Sequence, residues 1–205
     1  MLVDLKVTEF LAKLESNAPV PGGGSVAALS GGISAALAGM VANLTIGKKK
    51  YVEVQDEMLA ISAKTPAYTN RFIELIDIDA NSFDDYMKAM KLPKETDEEK
   101  AERAEKMEAA IQYAASVPLE TAEKSFELFD MIEVVITKGN TNAVTDAAVA
   151  AMMARTAILS ALYNVKINMG SITDKSFADN LVDRVEELEK LANKREQEIL
   201  ALVKL

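Results

Sequence analysis

The sequence predicts an all-α protein, a single-domain helical bundle built around two buried helices of small residues. Two long stretches, residues 26–46 and 147–165, are rich in small residues, chiefly Ala, and carry almost no charge. Apolar residues make up 49% of the 205 residues and aromatic residues only 5%, which favours helices packed through aliphatic side chains over a β-sandwich. No stretch alternates apolar and polar residues as a strand would, and no linker divides residues 1–205 into separate domains.

Composition restricts the chemistry that the chain can perform. It contains neither Cys nor His, which excludes disulfides, thiolate catalysis, the usual zinc sites and the His-containing di-metal bundle. Any reaction must therefore use carboxylate, Lys, Arg, Tyr, Ser, amide or backbone groups. A net charge of −9 and a pI near 4.7 argue against a nucleic-acid partner, and we expect a cytoplasmic protein.

The N-terminal part leads into a glycine-rich loop. Residues 2–16 predict a short amphipathic helix, which ends before the prolines. The loop that follows reads Pro21-Gly22-Gly23-Gly24-Ser25, and we expect Ser25 to start the next helix. Free N–H groups at such a helix start would face an anion or a polar ligand.

The first buried helix, residues 26–46, carries a ridge of small residues four apart, from Ala27 through Gly31 and Ala35 to Gly39. Such a ridge lets a second helix come close. The stretch is also long enough to span a membrane, but it is weakly hydrophobic and we expect no other stretch to join it as a second span, so we expect no membrane partner. Gly47 is the expected C-cap.

The next segments predict further helices interrupted at prolines. Residues 53–90 keep a helical period that Pro66 should kink or split. A capping box at 96–99 predicts a helix to about Ser116, and Pro118 should open another that ends near Lys138. Asp79, Phe83 and Tyr86 share a face of the first of these helices, where they would either line a pocket or serve as surface charge and core packing.

A second polar loop, residues 139–146, precedes the second buried helix, residues 147–165, which Gly170 closes. The last segment, residues 177–202, predicts a charged outer helix. Besides the first loop, the candidate site residues lie in this second loop, in the basic cluster after the first buried helix and among the asparagines at the end of the second. These residues are Lys48, Lys49, Lys50, Tyr51, Asn140, Asn142, Asp146, Asn164 and Asn168.

Several of these motifs occur in one order and together resemble the cyclodeaminase/cyclohydrolase family of folate enzymes. The motifs are Pro21 to Ser25, Leu44 to Tyr51, Leu92-Pro93-Lys94, Val117-Pro118, and Gly139 through Asp146 to Asn164-Val165-Lys166-Ile167-Asn168. Asp79 and Phe83 match a further short family pattern, Asp-Ala-x-x-Phe. The resemblance implies an all-helical homodimer that acts on a one-carbon unit bridging N5 and N10 of tetrahydrofolate, without a metal ion or other cofactor.

That substrate assigns roles to the candidate residues. The methenyl form is a cation already electrophilic at the bridging carbon, so the site need only position water and move a proton. Asp146 is the expected catalytic carboxylate, with a helix N-cap as its alternative role. Lys48, Lys49, Lys50 and Lys94 would bind the carboxylates of a polyglutamylated folate tail, and Lys49 is an alternative proton donor or acceptor.

The motifs do not separate two activities of the family. A cyclohydrolase hydrolyses 5,10-methenyltetrahydrofolate to 10-formyltetrahydrofolate, whereas a cyclodeaminase closes 5-formiminotetrahydrofolate to the methenyl compound and releases ammonia. No formiminotransferase segment precedes residue 1 in this sequence, and on that ground we expect the cyclohydrolase. A non-catalytic helical scaffold dimer is the opposing class, against which the two polar loops argue.

Overall fold

In a computed structural model that describes residues 1–204, the chain folds into six α-helices, which confirms the predicted all-α class. The helices are α1 (Val7–Glu15), α2 (Gly23–Thr45), α3 (Gln55–Met90), α4 (Asp97–Lys138), α5 (Val144–Met169) and α6 (Lys175–Leu200). Three short 3-10 helices lie at Leu2–Asp4, Lys49–Val54 and Thr141–Ala143. Residues 1–204 contain no β-strand.

Helix α2 lies between α3 and α5, and α4 packs against all three of these helices. Helix α6 covers α5 and α4 on the outside. The largest buried side chains come mainly from α3, α4, α5 and α6, whereas α2 contributes Ala, Ser, Gly and Val. The largest of them are Phe72, Phe129, Met58, Leu75 and Leu128. Because α2 brings so little side-chain volume to the core, its neighbours pack close to its backbone.

The packing of α2 on α3 confirms the predicted role of the small-residue ridge. A Cβ atom added to Gly31 would lie 2.5 Å from the ring of Phe72, so the ring occupies the space that a side chain would need. The outer face of α2 is different, because Leu29, Ile33, Met40 and Leu44 follow one another there and each is 36–41% exposed. One face of the central helix is thus tightly covered, while the opposite face is apolar and open.

Helices α2 and α5 run antiparallel, as three contacts along their length show. Gly23 at the start of α2 lies against Asn164 near the end of α5. Midway along, the Ser34 hydroxyl donates to the Ala150 carbonyl at 2.8 Å. Thr45 at the end of α2 accepts a hydrogen bond at 2.8 Å from the Asn140 backbone N–H, just before α5. The loop that precedes each helix therefore lies at the far end of the other.

The predicted start of a new helix at Pro118 is wrong, and Pro66, which was expected to kink or split its helix, does not split it. Pro66 lies inside the continuous α3, and Pro118 lies inside α4, which runs unbroken for 42 residues. A proline in a helix leaves the carbonyl four residues earlier without its N–H donor. For Pro118 that carbonyl belongs to Ala114, and the Asn168 side-chain amide donates to it at 2.7 Å. A residue from α5 thus replaces the missing donor and allows α4 to continue.

The predicted N-terminal helix over residues 2–16 is also wrong in extent. A 3-10 turn at Leu2–Asp4 is followed by extended backbone, and α1 begins only at Val7. The Leu2 backbone N–H donates to Asp77 on α3 at 2.6 Å, which fixes the turn to the body of the protein. Three other predicted ends are confirmed, since Thr96 caps α4 and Gly139 and Gly170 follow the last residues of α4 and α5. Gly47, the expected C-cap of α2, lies one residue beyond the C-cap Ile46.

Two helices are long and apolar enough to cross a membrane, so the expectation that only residues 26–46 would qualify is wrong. Both Gly23–Thr45 and Thr141–Met169 meet the length and hydropathy criteria. Within the fold, 61% of the first apolar window and 50% of the second are buried. The core helix of a water-soluble protein meets the same criteria, and these two helices pack against each other and against α4.

Candidate functional site

A cavity of about 240 Å³ opens at the start of α2, where the glycine-rich loop meets α3, α4 and α5. We call it the glycine pocket. Its lining combines backbone, small polar groups and a few apolar side chains, and Asp79 is its only ionisable residue. The lining residues are Pro19, Val20, Gly22, Gly23, Gly24, Asp79, Ser82, Phe83, Ala114, Asn164, Ile167 and Asn168.

Ser25 does not cap α2 as the sequence predicted. The helix begins at Gly23 with Gly22 as its N-cap, and Ser25 lies within the first turn with its side chain buried. The Ser25 hydroxyl lies 3.1 Å from the Ile76 carbonyl and 2.9 Å from a carboxyl oxygen of Asp79. Ser25 therefore ties α2 to α3 and orients the pocket carboxyl group. Pro21 is also buried, and neither residue lines the pocket.

The Asp79 carboxyl group sits against the start of α2. Burial raises the pKa of Asp79 above its ordinary value, although hydrogen bonds from Ser25 act in the opposite direction. A Cβ atom added to Gly24 would overlap this carboxyl group, so glycine at position 24 is what lets Asp79 approach the helix start. A carboxyl group with a raised pKa in a cavity is suited to accept and return a proton near neutral pH.

Two asparagines of α5 complete the pocket wall. The Asn164 side-chain nitrogen donates to the Ser160 carbonyl at 2.8 Å, one turn earlier in the helix. The Asn168 nitrogen donates to the Ala114 carbonyl, as described above. Both predicted residues therefore line the pocket with their amide nitrogens already engaged. Phe83 lines it as well, whereas Tyr86, expected on the same face, does not.

A second group of predicted residues lies where α2 ends and α5 begins. We call it the lysine end, comprising Lys48, Lys49, Lys50, Tyr51 and residues 140–146. The three lysines are exposed and form no ion pair within residues 1–204. Tyr51 lies against Thr141, whose side chain and backbone N–H lower the pKa of Tyr51 through hydrogen bonds. The Lys50 ammonium lies 5.3 Å from the centre of the Tyr51 ring.

The polar loop before α5 is held by Asn140 rather than by Asp146. The Asn140 amide donates to the Leu44 carbonyl at 2.9 Å, and its oxygen accepts from the Asn142 backbone N–H. Asp146 lies in the first turn of α5, whose N-cap is Ala143, so the alternative role of Asp146 as N-cap is wrong. Its side chain is half-buried and forms no hydrogen bond within the described residues.

Within one chain the structure does not bring the two groups of predicted residues together. Helix α2 separates them, and its 23 residues correspond to ~35 Å at about 1.5 Å per residue. The glycine pocket holds Asp79 and the asparagines of α5, while the lysine end holds every predicted cation except Lys94, which is exposed in the α3–α4 connection.

Five pocket residues were not predicted from the sequence, namely Pro19, Val20, Ser82, Ala114 and Ile167. The sequence carried a signal for two of them. Ser82 lies one turn after Asp79, and Ala114 lies four residues before Pro118, at the carbonyl that a proline leaves free. Among residues 1–204 there is no cluster of three acidic side chains arranged to hold a metal ion.

Fold and pocket together define an all-helical protein with a polar, glycine-lined ligand site at the start of a buried helix. The chain belongs to the formiminotransferase-cyclodeaminase family, whose sequence model matches residues 6–187.

Known members of the family include proteins of two kinds. The chain is 44% identical over 185 residues to the methenyltetrahydrofolate cyclohydrolase of Methylorubrum extorquens, covering 90% of this chain and 88% of that protein. It is 34% identical over 179 residues to the formimidoyltransferase-cyclodeaminase of Sus scrofa. The match covers only 33% of the length of that protein. The crystal structure of the formiminotetrahydrofolate cyclodeaminase of Thermotoga maritima superposes with a TM-score of 0.88 at 29% identity, covering 99% of this chain and 98% of that one.

Proposed function

We propose that this chain is a 5,10-methenyltetrahydrofolate cyclohydrolase, which hydrolyses the methenyl bridge to 10-formyltetrahydrofolate. The observation that carries the proposal is the 44% identity to a methenyltetrahydrofolate cyclohydrolase over nearly the whole length of both proteins. The glycine pocket supports it, because the Asp79 carboxylate there can accept the proton that the attacking water loses.

The reaction needs one proton acceptor and little else. Water attacks the cationic bridging carbon and loses a proton to the Asp79 carboxylate, which gives a neutral tetrahedral adduct. The bond from carbon to N5 then breaks, the hydroxyl proton leaves as the formyl C=O forms, and N5 gains a proton. One proton is released overall. Because the substrate carbon is already electrophilic, we propose that no metal ion or prosthetic group takes part.

We further propose that the active form is a homodimer in which each site combines the glycine pocket of one chain with the lysine end of the other. The exposed apolar stripe on α2, from Leu29 to Leu44, supports this assembly. A two-fold axis near the middle of α2 would pair the helix antiparallel with its copy. The start of one α2 would then lie beside the end of the other, close enough for one folate to contact both.

In such a composite site, the lysine end of the partner chain supplies positive charge. Lys48, Lys49 and Lys50 would bind the carboxylates of a polyglutamylated folate tail. Asp146 would orient the cationic substrate from the partner chain, while Asp79 moves the proton. The alternative role of Lys49 as proton donor or acceptor remains a prediction, and its exposed side chain lies a helix length from Asp79 of the same chain. We propose that this dimer works in the cytoplasm without a membrane.

The activity is tested directly by mixing the purified protein with 5,10-methenyltetrahydrofolate and following the loss of its absorbance. We expect a rate far above that of buffer alone, with 10-formyltetrahydrofolate as product. The rate should be measured over about two pH units on either side of neutrality. No acceleration at any pH in this interval would refute the proposed activity.

The composite site is tested by mixing two impaired variants, Asp79→Asn and the triple Lys→Gln variant at positions 48 to 50, and assaying them with substrate well below KM. Under that condition the triple variant alone should show about a tenth of the wild-type rate. In a mixed dimer, the triple variant supplies an intact glycine pocket and Asp79→Asn supplies an intact lysine end. After the mixture is unfolded and refolded, about a quarter of the wild-type activity should return, because half of the dimers are mixed and one of their two sites is intact. If each site lay within one chain, the mixture would show only the mean of the activities of the two separate variants.

Cyclodeaminase activity is the second candidate, and the structural similarity to the Thermotoga maritima cyclodeaminase favours it. Both reactions pass through a tetrahedral carbon between N5 and N10, so one pocket would serve either. Purified protein should therefore be given 5-formiminotetrahydrofolate as well. Ammonia release with a much higher kcat/KM than methenyl hydrolysis would replace the cyclohydrolase assignment.

A further inference from the structure

The glycine pocket presents a pair of oriented hydrogen-bond acceptors that the proton-transfer step does not use. The amide nitrogens of Asn164 and Asn168 each donate to a backbone carbonyl, at 2.8 Å and 2.7 Å. A carbonyl accepts hydrogen bonds but cannot donate them, so each amide must turn its nitrogen toward that carbonyl. The side-chain oxygens are thereby fixed on the opposite side of each amide group.

These two oxygens have no hydrogen-bond donor within residues 1–204. They are also not buried, because Asp77 provides the one buried side-chain oxygen without a partner in that range. Both asparagines line the glycine pocket, so a ligand bound there can reach their amide groups. Each amide contributes an oxygen acceptor without a partner of its own, beside the second N–H of its nitrogen.

The orientation of Asn168 depends on a residue in another helix. Pro118 removes the N–H that would otherwise bond the Ala114 carbonyl, and that free carbonyl holds the Asn168 nitrogen. With an ordinary residue at position 118, the carbonyl would be occupied within α4 and the amide would be free to rotate. The proline thus orients a pocket residue as well as interrupting the hydrogen bonds of α4.

We propose that the Asn164 and Asn168 oxygens recognise the pterin ring of the substrate through its 2-amino and N3–H donors, and so determine which ring systems the pocket accepts. Two adjacent N–H donors on a planar ring match two fixed acceptors, and the half-exposed Phe83 side chain offers an apolar surface to the ring face. The inference rests on the proposed function, since it assumes a folate substrate, and it leaves Asp79 to act at the bridging carbon.

The test compares the binding of two free ring systems, pterin and lumazine, by fluorescence titration of the purified protein. Lumazine carries an oxygen where pterin carries the 2-amino group, so it would place an acceptor against the two asparagine oxygens. A site built to hydrogen-bond an N–H group rejects an analogue that lacks it. We expect pterin to bind at least about tenfold more tightly than lumazine.

Replacing one asparagine should remove this discrimination. In Asn164→Ala, pterin affinity should fall to that of lumazine while lumazine affinity changes less than about twofold. Asn81→Ala is the matched control, because Asn81 is an exposed asparagine on α3 that does not line the pocket, and the control should keep the wild-type ratio. Circular dichroism of both variants verifies that they are folded.

Equal affinities of the wild-type protein for the two rings, or an equal loss of both in Asn164→Ala, would overturn the proposal. The binding assay does not depend on turnover, so the two proposals fail separately. Discrimination between the rings without methenyl hydrolysis would refute the cyclohydrolase and leave the ring site standing. Hydrolysis without discrimination would refute the ring site alone.

Discussion

The two ends of the α2–α5 pair differ in how their functional groups are held. At the glycine pocket, Asp79 is half-buried, bonded to Ser25 and held close to the backbone of α2. At the lysine end, the cations are exposed and unpaired within the described residues. A rigid, desolvated carboxyl group is suited to chemistry, whereas mobile exposed charges are suited to binding a flexible anionic tail. The comparison predicts that mutations at the first end lower kcat and mutations at the second raise KM.

The largest expected effect is that of Asp79→Asn. Loss of a general base costs a factor of about 100 or more in kcat, and the amide cannot accept the proton from water. Asp146→Asn is the comparison at the lysine end, where we expect a loss of about tenfold. Steady-state rates of methenyl hydrolysis measure both. A larger effect of Asp146→Asn would reverse the assignment of the two carboxylates.

The pH dependence of kcat/KM should follow the titration of the Asp79 carboxyl group. Because burial raises the pKa of Asp79, the base form is lost as the pH falls through that raised value, and the rate should fall on the acid side above the ordinary pKa of an aspartate. The acid limb should disappear in Asp79→Asn. Since the fold disfavours the ionised form, Asp79 destabilises the protein above its pKa, and the variant should melt no lower than the wild type at neutral pH.

Gly24→Ala should lower kcat by about tenfold or more, because the new Cβ atom would displace the Asp79 carboxyl group from the start of α2. Gly22→Ala is the matched control, since a Cβ atom there would meet only the Pro19 carbonyl, at an ordinary 3.7 Å. Kinetics and thermal melting of both variants are the measurement. Full turnover by Gly24→Ala would show that the close approach of Asp79 to α2 is not needed.

Replacement of Lys48, Lys49 and Lys50 by Gln should raise KM by about tenfold with little change in kcat. The increase should be greater for a polyglutamylated substrate and should shrink at high salt, because exposed charges are screened. A fall in kcat at constant KM would contradict the assignment of the lysine end to substrate binding.

The smallest expected effect concerns Asn168 and Pro118. Asn168→Ala leaves the Ala114 carbonyl without a donor and should destabilise the protein by about 1–3 kcal/mol. In a Pro118→Ala background, α4 regains its own N–H donor at this carbonyl, and the same substitution should cost less. Denaturant unfolding of the four proteins of this double-mutant cycle measures the coupling. Additive effects would mean that the bond does not replace the missing donor.

The pattern of apolar, small and capping residues was enough to predict the helical class, both buried helices and most helix ends, because these depend on local sequence. The new helix at Pro118 was predicted wrongly because the donor that compensates this proline lies fifty positions later in the chain, at Asn168. Motifs identified the candidate residues, but their separation into two ends depends on the antiparallel pairing of α2 and α5. That pairing is a tertiary contact which no local pattern encodes.

In the proposed homodimer, the position of the two ends would also link activity to concentration. If each chain carries only half of a site, a dissociated chain is catalytically silent, and specific activity depends on how much of the protein is paired. Dilution below the dissociation constant of the dimer would switch the enzyme off without any change in its folding. The abundance of the chain would then set both the number of sites and the fraction of them that are complete.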